Sequence, residues 1–164
     1  MSSSRSTEAL RDAVAALTSG AIDLWNGLPD CTQADLLAAF PSATATTDRL
    51  LHQPAVAYAI PSTRYAPYGV RVWTQQGVVT LAEVREPVLT EVELQSLGEP
   101  DAVIESGLGA SLDQLLWPAR GLILHRSRLD GRVAVLYGHS PSTLAEVEAS
   151  PLVRVRIERR LRRS

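Results

Sequence analysis

The chain has 164 residues, 45% hydrophobic and 21% charged, with a formal net charge of -2; this is the size and composition of one folded domain and excludes a disordered chain. No uninterrupted apolar run is long enough to span a bilayer and the first residues lack the apolar core of a secretion signal, so a cytoplasmic location is expected. Cys31 is the single cysteine and none of the basic residues is Lys, which excludes an intrachain disulfide, sites with several thiolate ligands, and Schiff-base or P-loop lysine chemistry.

Along the chain, apolar residues recur at Leu10, Val14, Leu17, Ala21, Leu24 or Trp25, and Leu28, a 3.6-residue stripe that predicts a helix over 7–28, with Gly20 weakening its middle and Pro29 ending it. Thr32 followed by Asp35 and the pair Leu36-Leu37 is a capping box that starts a second helix, closed at Phe40-Pro41. Residues 42–49 read as a polar connection. Residues 55–60, 68–73 and 77–84 read as strands, with Gln75-Gln76-Gly77 as a hairpin turn. The pattern then recurs. Thr90 and Glu93 form a second capping box before Leu94 and Leu97, and Gly98-Glu99-Pro100 stops that helix.

Residues 68–73 align with 120–125, and 77–87 align with 131–141, so a unit over 30–87 is read as copied over 88–141. Thr143 with Glu146 caps a last short helix before Pro151. Residues 152–164 carry six Arg against Glu158 alone, a basic tail on an otherwise acidic body; the alternation of Val153, Val155 and Ile157 favours an edge strand over a basic helix. The expected fold is thus a single α+β domain over 1–164: an antiparallel sheet packed by helices, built from two tandem helix-plus-β-hairpin units with an extra N-terminal helix.

Thr90-Glu-Val-Glu-Leu-Gln-Ser-Leu-Gly-Glu-Pro100, followed by Trp117 and a two-strand meander, resembles the helix and sheet unit of BamE/SmpA-type outer-membrane assembly lipoproteins. Two such units in tandem are similar to the β-lactamase inhibitory protein family. The resemblance spans about residues 88–138 directly and 30–87 by internal analogy. It implies a bacterial binding module. The chain departs from the lipoproteins in having no lipid-attachment Cys near its start, and the helix at 7–28 and the Arg tail have no counterpart.

Of the motifs that carry chemistry, Gly138-His-Ser-Pro-Ser142 after a strand mimics a nucleophile turn, but Pro141 occupies the position whose N–H would serve an oxyanion and no His follows Ser140. A plain strand-to-helix turn is expected. Gly107-Leu-Gly109 lacks the third glycine of a nucleotide loop and reads as a connection. His52, His125 and His139 have no metal-ligand spacing and read as surface or turn residues. No cofactor, metal or catalytic residue is assigned, and a non-enzymatic role is expected.

The remaining candidates are contact residues. Tyr58, Tyr65, Tyr68 and Trp73 cluster in the first unit; Trp73 is assigned to the core, Tyr65 to an exposed Pro-bounded loop, and the tyrosines to a contact patch, since Tyr and Trp dominate binding hot spots. The expected function is a protein-protein interaction module of inhibitor, immunity or chaperone type, its helices on one side of the sheet and the other face left for a protein partner. The alternative is an adaptor for nucleic acid or anionic membrane acting through Arg154, Arg156, Arg159, Arg160, Arg162 and Arg163. Helix 7–28 packing in cis, or across a homodimer, is left open.

Overall fold

The computed structural model describes residues 2–61 and 64–153. Helix α1 spans Ser2–Ser19 and buries Leu10, Val14 and Leu17. The helix expected over 7–28 is therefore too long. It ends where Gly20 takes a left-handed φ of 79° and where a Cβ would stand 2.8 Å from the Tyr65 ring. Ile22, Trp25 and Leu28 continue the buried stripe, but from a one-turn 3-10 helix at Ile22–Leu24 and the extended segment after it. A segment lying along the core also buries recurrent residues, so apolar spacing alone did not mark the helix end.

Helix α2 follows at Gln33–Ala39, and its cap forms as the sequence dictates: the Asp35 N–H donates to the Thr32 hydroxyl while the Asp35 carboxylate accepts from the Thr32 N–H at 2.9 Å. Strands β1 (Thr44–Leu50), β2 (Gln53–Ile60), β3 (Val70–Gln75) and β4 (Val78–Arg85) then run as a meander. The β3–β4 turn is Gln76-Gly77 with φ of 51° and 76°, the left-handed pair that a two-residue hairpin demands. Helix α3 (Glu91–Ser96) carries the Thr90/Glu93 box. A second meander follows: β5 (Ala102–Glu105), β6 (Leu112–Trp117), β7 (Leu122–Ser127) and β8 (Val133–Gly138). Helix α4 (Leu144–Ala149) carries the third box, Thr143/Glu146.

Among the described residues the strands form one antiparallel sheet in the order β1-β2-β3-β4-β8-β7-β6-β5, so the last strands of the two meanders meet in the middle. The hairpins β3–β4 and β7–β8 share a register. Val70 pairs with Val84 as Leu122 pairs with Gly138, and the pairing shifts between Trp73 and Thr74 as it does between His125 and Arg126. Gly69 and Gly121, ahead of β3 and β7, are both left-handed.

The larger core lies on one face of the sheet, where Leu10, Leu17, Trp25 and Leu36 pack on Val72, Val84, Leu124 and Leu136. Helices α1, α2 and α3 all contribute to it. The opposite face was expected to be free. It is covered in part, because Val147 of α4 packs on Leu116 and Ile123, and Leu152 packs beside Trp73, Leu81 and Tyr137. Sheets with apolar residues on both faces need cover on both, and α4 with residues 150–153 supplies part of it. The basic tail from Arg154 onward lies outside the described residues.

Candidate binding cleft

An open cleft of about 700 Å³ lies at the end of the sheet where β3 begins, β4 ends and the β7–β8 loop turns. Three pieces of backbone build it. The first is the turn Ala66-Pro67-Tyr68-Gly69, closed by the Gly69 N–H donating to the Ala66 carbonyl at 2.8 Å. Proline pre-sets the first corner of such a turn, and the second corner throws its side chain outward. Tyr68 is accordingly 69% exposed.

The second piece is the chain after β4. Glu86, at a φ of 45°, donates its N–H to the Ala134 carbonyl, and the Val88 N–H donates to the Tyr65 carbonyl, each at 2.8 Å. These bonds hold Val88 at the cleft with 59% of its surface exposed. The third piece is the loop 128–132. Its backbone is closed by the Gly131 N–H on the Ser127 carbonyl, and Arg126 donates from Nε to the Gly131 carbonyl at 2.8 Å. Leu129 projects from this loop, 84% exposed. Asp130 and Arg132 put charge at the cleft 3.9 Å apart; the Arg132 backbone N–H, above all, holds the Asp130 carboxyl below its usual range. Exposed apolar side chains beside charged groups, on backbone fixed by hydrogen bonds, form a surface suited to holding another molecule.

Among the predicted contact residues that the structure describes, only Tyr68 reaches this surface. The expectation of an exposed Tyr58 and Tyr65 is corrected, for both are buried. The Tyr58 hydroxyl accepts from Gln33 Nε2 and ties α2 to the sheet. Tyr65 lies under the N-terminal segment against Gly20, and burial, with Glu93 as a lesser cause, pushes its phenol up. A Pro-bounded loop beside Arg64 signals exposure in sequence, but Tyr65 turns inward onto the gap that Gly20 leaves. Trp73 is in the core as expected. Arg154, Arg156, Arg159 and Arg160 lie outside the described residues. Val88 and Leu129 were missed; isolated apolar residues in loops carry no periodic signal.

The expectation of surface or turn residues holds for His52, exposed in the β1–β2 turn, and in part for His139, which lies in the connection after β8 but is buried; it fails for His125, inside β7. His125 is fully buried, its Nδ1 2.8 Å from Ser106 Oγ and its ring edge-on to Tyr137 at 5.5 Å. Ser106 is equally buried and its Oγ accepts the Leu108 N–H, so this Ser–His contact is shut from solvent and fastens the β5–β6 loop. His139 is buried too, with Nδ1 donating to the Ser140 carbonyl at 2.7 Å, and burial lowers its pKa. Burial, Asp35 and Asp30 push the Cys31 thiol up to about 11, which keeps it protonated and unreactive near neutrality. Among the described residues no group of three His, Cys, Asp or Glu is placed to hold a metal ion, and no helix is long and apolar enough to cross a membrane.

No family model matches the chain, and no curated protein is similar to it. A solved structure of a DUF4309 family protein, YjgB from Bacillus subtilis, is similar at 11% identity with a TM-score of 0.38 over 81% of this chain and 99% of that one, a likeness too low to assign a family.

Proposed function

We propose that this chain is a protein-interaction module that grips a partner protein at the end cleft, with Tyr68 as the anchor. The observation that carries the reading is that Tyr68 and Val88, two of the most exposed large apolar residues, line one concave surface with the charged Asp130 and Arg132, while Leu129, 84% exposed, precedes Asp130 in the same loop. Aromatic anchors ringed by apolar and charged neighbours are the usual energetic centres of protein interfaces.

We further read the fold as two tandem units, over 30–87 and 88–141, related to the BamE/SmpA-like helix and sheet arrangement. The shared hairpin register, the bulges at Trp73 and His125, and the left-handed Gly69 and Gly121 support this, since they fall at the positions aligned in the sequence. On that reading the cleft sits at the junction of the copies.

The test is partner capture with the full chain, comparing wild type, Tyr68→Ala and a variant with the six tail arginines changed to Gln. Replacing a hot-spot tyrosine costs about 2 kcal/mol, roughly a thirtyfold weaker Kd. A partner lost with Tyr68→Ala and kept by the tail variant supports the cleft. Retention by Tyr68→Ala with loss in the tail variant would instead make the chain an adaptor for an anionic ligand.

A further inference from the structure

The two edges of the sheet are treated differently. Strand β5 at one edge has four residues, follows Asp101 and ends in Glu105, so it is short and flanked by acids. Strand β1 at the other edge has seven residues in unbroken register with β2 from Thr44↔Ala59 to Leu50↔Gln53, and it begins Thr-Ala-Thr-Thr without proline, bulge or charge. Six of its residues are exposed, on both faces. Proteins blunt their edges with short strands, charges, prolines or bulges, because an open edge pairs with another strand. The first four residues of β1 carry none of these devices, and three of them, Thr44, Thr46 and Thr47, are β-branched strand formers.

The geometry points to pairing of β1 with β1 of a second copy, antiparallel about an axis at Thr46. The backbone sets the register. The β1–β2 turn is Leu51-His52 with φ of 54° and 68°, a two-residue turn that closes on a hydrogen-bonded pair, Leu50 with Gln53. Alternation then turns the N–H and C=O of Leu50, Asp48, Thr46 and Thr44 toward β2 and those of Arg49, Thr47 and Ala45 outward. One observation agrees with this directly: the Arg49 N–H is capped by its neighbour, donating to Asp48 Oδ1 at 2.7 Å.

Among the described residues Ala45 and Thr47 therefore hold the open outward groups, and they satisfy one another only if Ala45 faces Thr47 of the second copy. That register places Thr46 opposite Thr46 and Thr44 opposite Asp48, so a hydroxyl meets a carboxylate and no like charges oppose. An axis one residue on, at Thr47, needs the Arg49 N–H that Asp48 already occupies. An axis at Asp48 sets two carboxylates face to face, which is unfavourable. The pairing is isologous and extends the sheet across both copies.

The experiment uses the full chain. In a directly opposed, non-hydrogen-bonded antiparallel pair the Cα atoms stand about 4.5 Å apart, within disulfide reach. Thr46→Cys is expected to give a covalent dimer on mild oxidation, and Thr47→Cys, which faces Ala45, much less; Cys31 is buried and adds no background. Sedimentation velocity from micromolar to millimolar chain should show a reversible dimer for wild type and for Tyr68→Ala. Thr47→Pro, which removes an outward N–H, and Thr46→Lys, which opposes two cations, should both be monomeric with unchanged circular dichroism. A wild-type monomer throughout, a dimer that survives both substitutions, or equal cross-linking at 46 and 47 would overturn the pairing. A dimer lost in Tyr68→Ala would place self-association at the cleft and overturn it as well.

Discussion

Gly138 shows how one side chain's absence organises this protein. A Cβ there would stand 2.5 Å from Trp25 Cζ2, and the indole is pinned because its Nε1–H donates to the Gly121 carbonyl at 3.2 Å. Gly138→Ala is expected to cost about 2 to 3 kcal/mol, seen as a lower denaturant midpoint at an unchanged m value. His139 makes a second residue-scale prediction. Its folded pKa is lowered by burial from 6.5, so the unfolded chain takes up a proton first as pH falls. This contribution to stability is intact above about pH 6.5 and is lost as pH falls from there toward the folded pKa. His139→Gln, followed by thermal unfolding between about pH 7.5 and about pH 5, a range that brackets the free imidazole value, should flatten that part of the profile. Neither role was legible in sequence: His139 reads as a turn residue, and its burial comes from contacts that the chain order does not reveal. The same holds for Tyr65, whose preceding neighbours Ser62-Thr63-Arg64 are polar, and for Tyr58, whose strand gives no sign of which face is covered.

At the scale of elements, all three capping boxes were legible because the physics is local. A hydroxyl and a carboxylate three residues apart satisfy donors within one turn. Thr32→Ala is expected to destabilise the fold by about 1 kcal/mol in urea unfolding, and Thr90→Ala by no more, since its box is exposed. Strands β2, β3, β4, β7 and β8 were legible from β-branched and apolar runs. Strands β1, β5 and β6 were not. β1 is exposed on both faces and so shows no alternation, β5 has four residues, and β6 places the polar Gln114 in a buried position. The end of α1 was missed because periodicity reports burial, and burial continued into an extended segment.

For the whole molecule, the main core draws on α1 and on both meanders together: Leu10 and Leu17 share it with Val72 and Val84 from one half and Leu124 and Leu136 from the other. The N-terminal segment is also bound at its far end, where Arg120 donates to the Trp25 and Asp23 carbonyls and Leu28 donates to the His139 carbonyl at 2.8 Å. The halves are therefore expected to unfold as one unit. Calorimetry should give a single transition with equal calorimetric and van't Hoff enthalpies, and Leu10→Ala should lower its stability by about 2 to 5 kcal/mol without splitting it.

The sequence by itself determined what depends on near neighbours: an α+β chain, the capped helix starts, the Gln76-Gly77 hairpin and the spacing that aligns 68–87 with 120–141. Tertiary structure alone decided what depends on distant groups meeting. It placed α4 on the second face, buried Tyr58, Tyr65 and two histidines, left β1 at an edge of the sheet among the described residues, and brought Tyr68 and Val88 to one cleft. Exposure is a property of the packed whole, because the same tyrosine is an anchor or a core residue according to which turn carries it and what stands opposite.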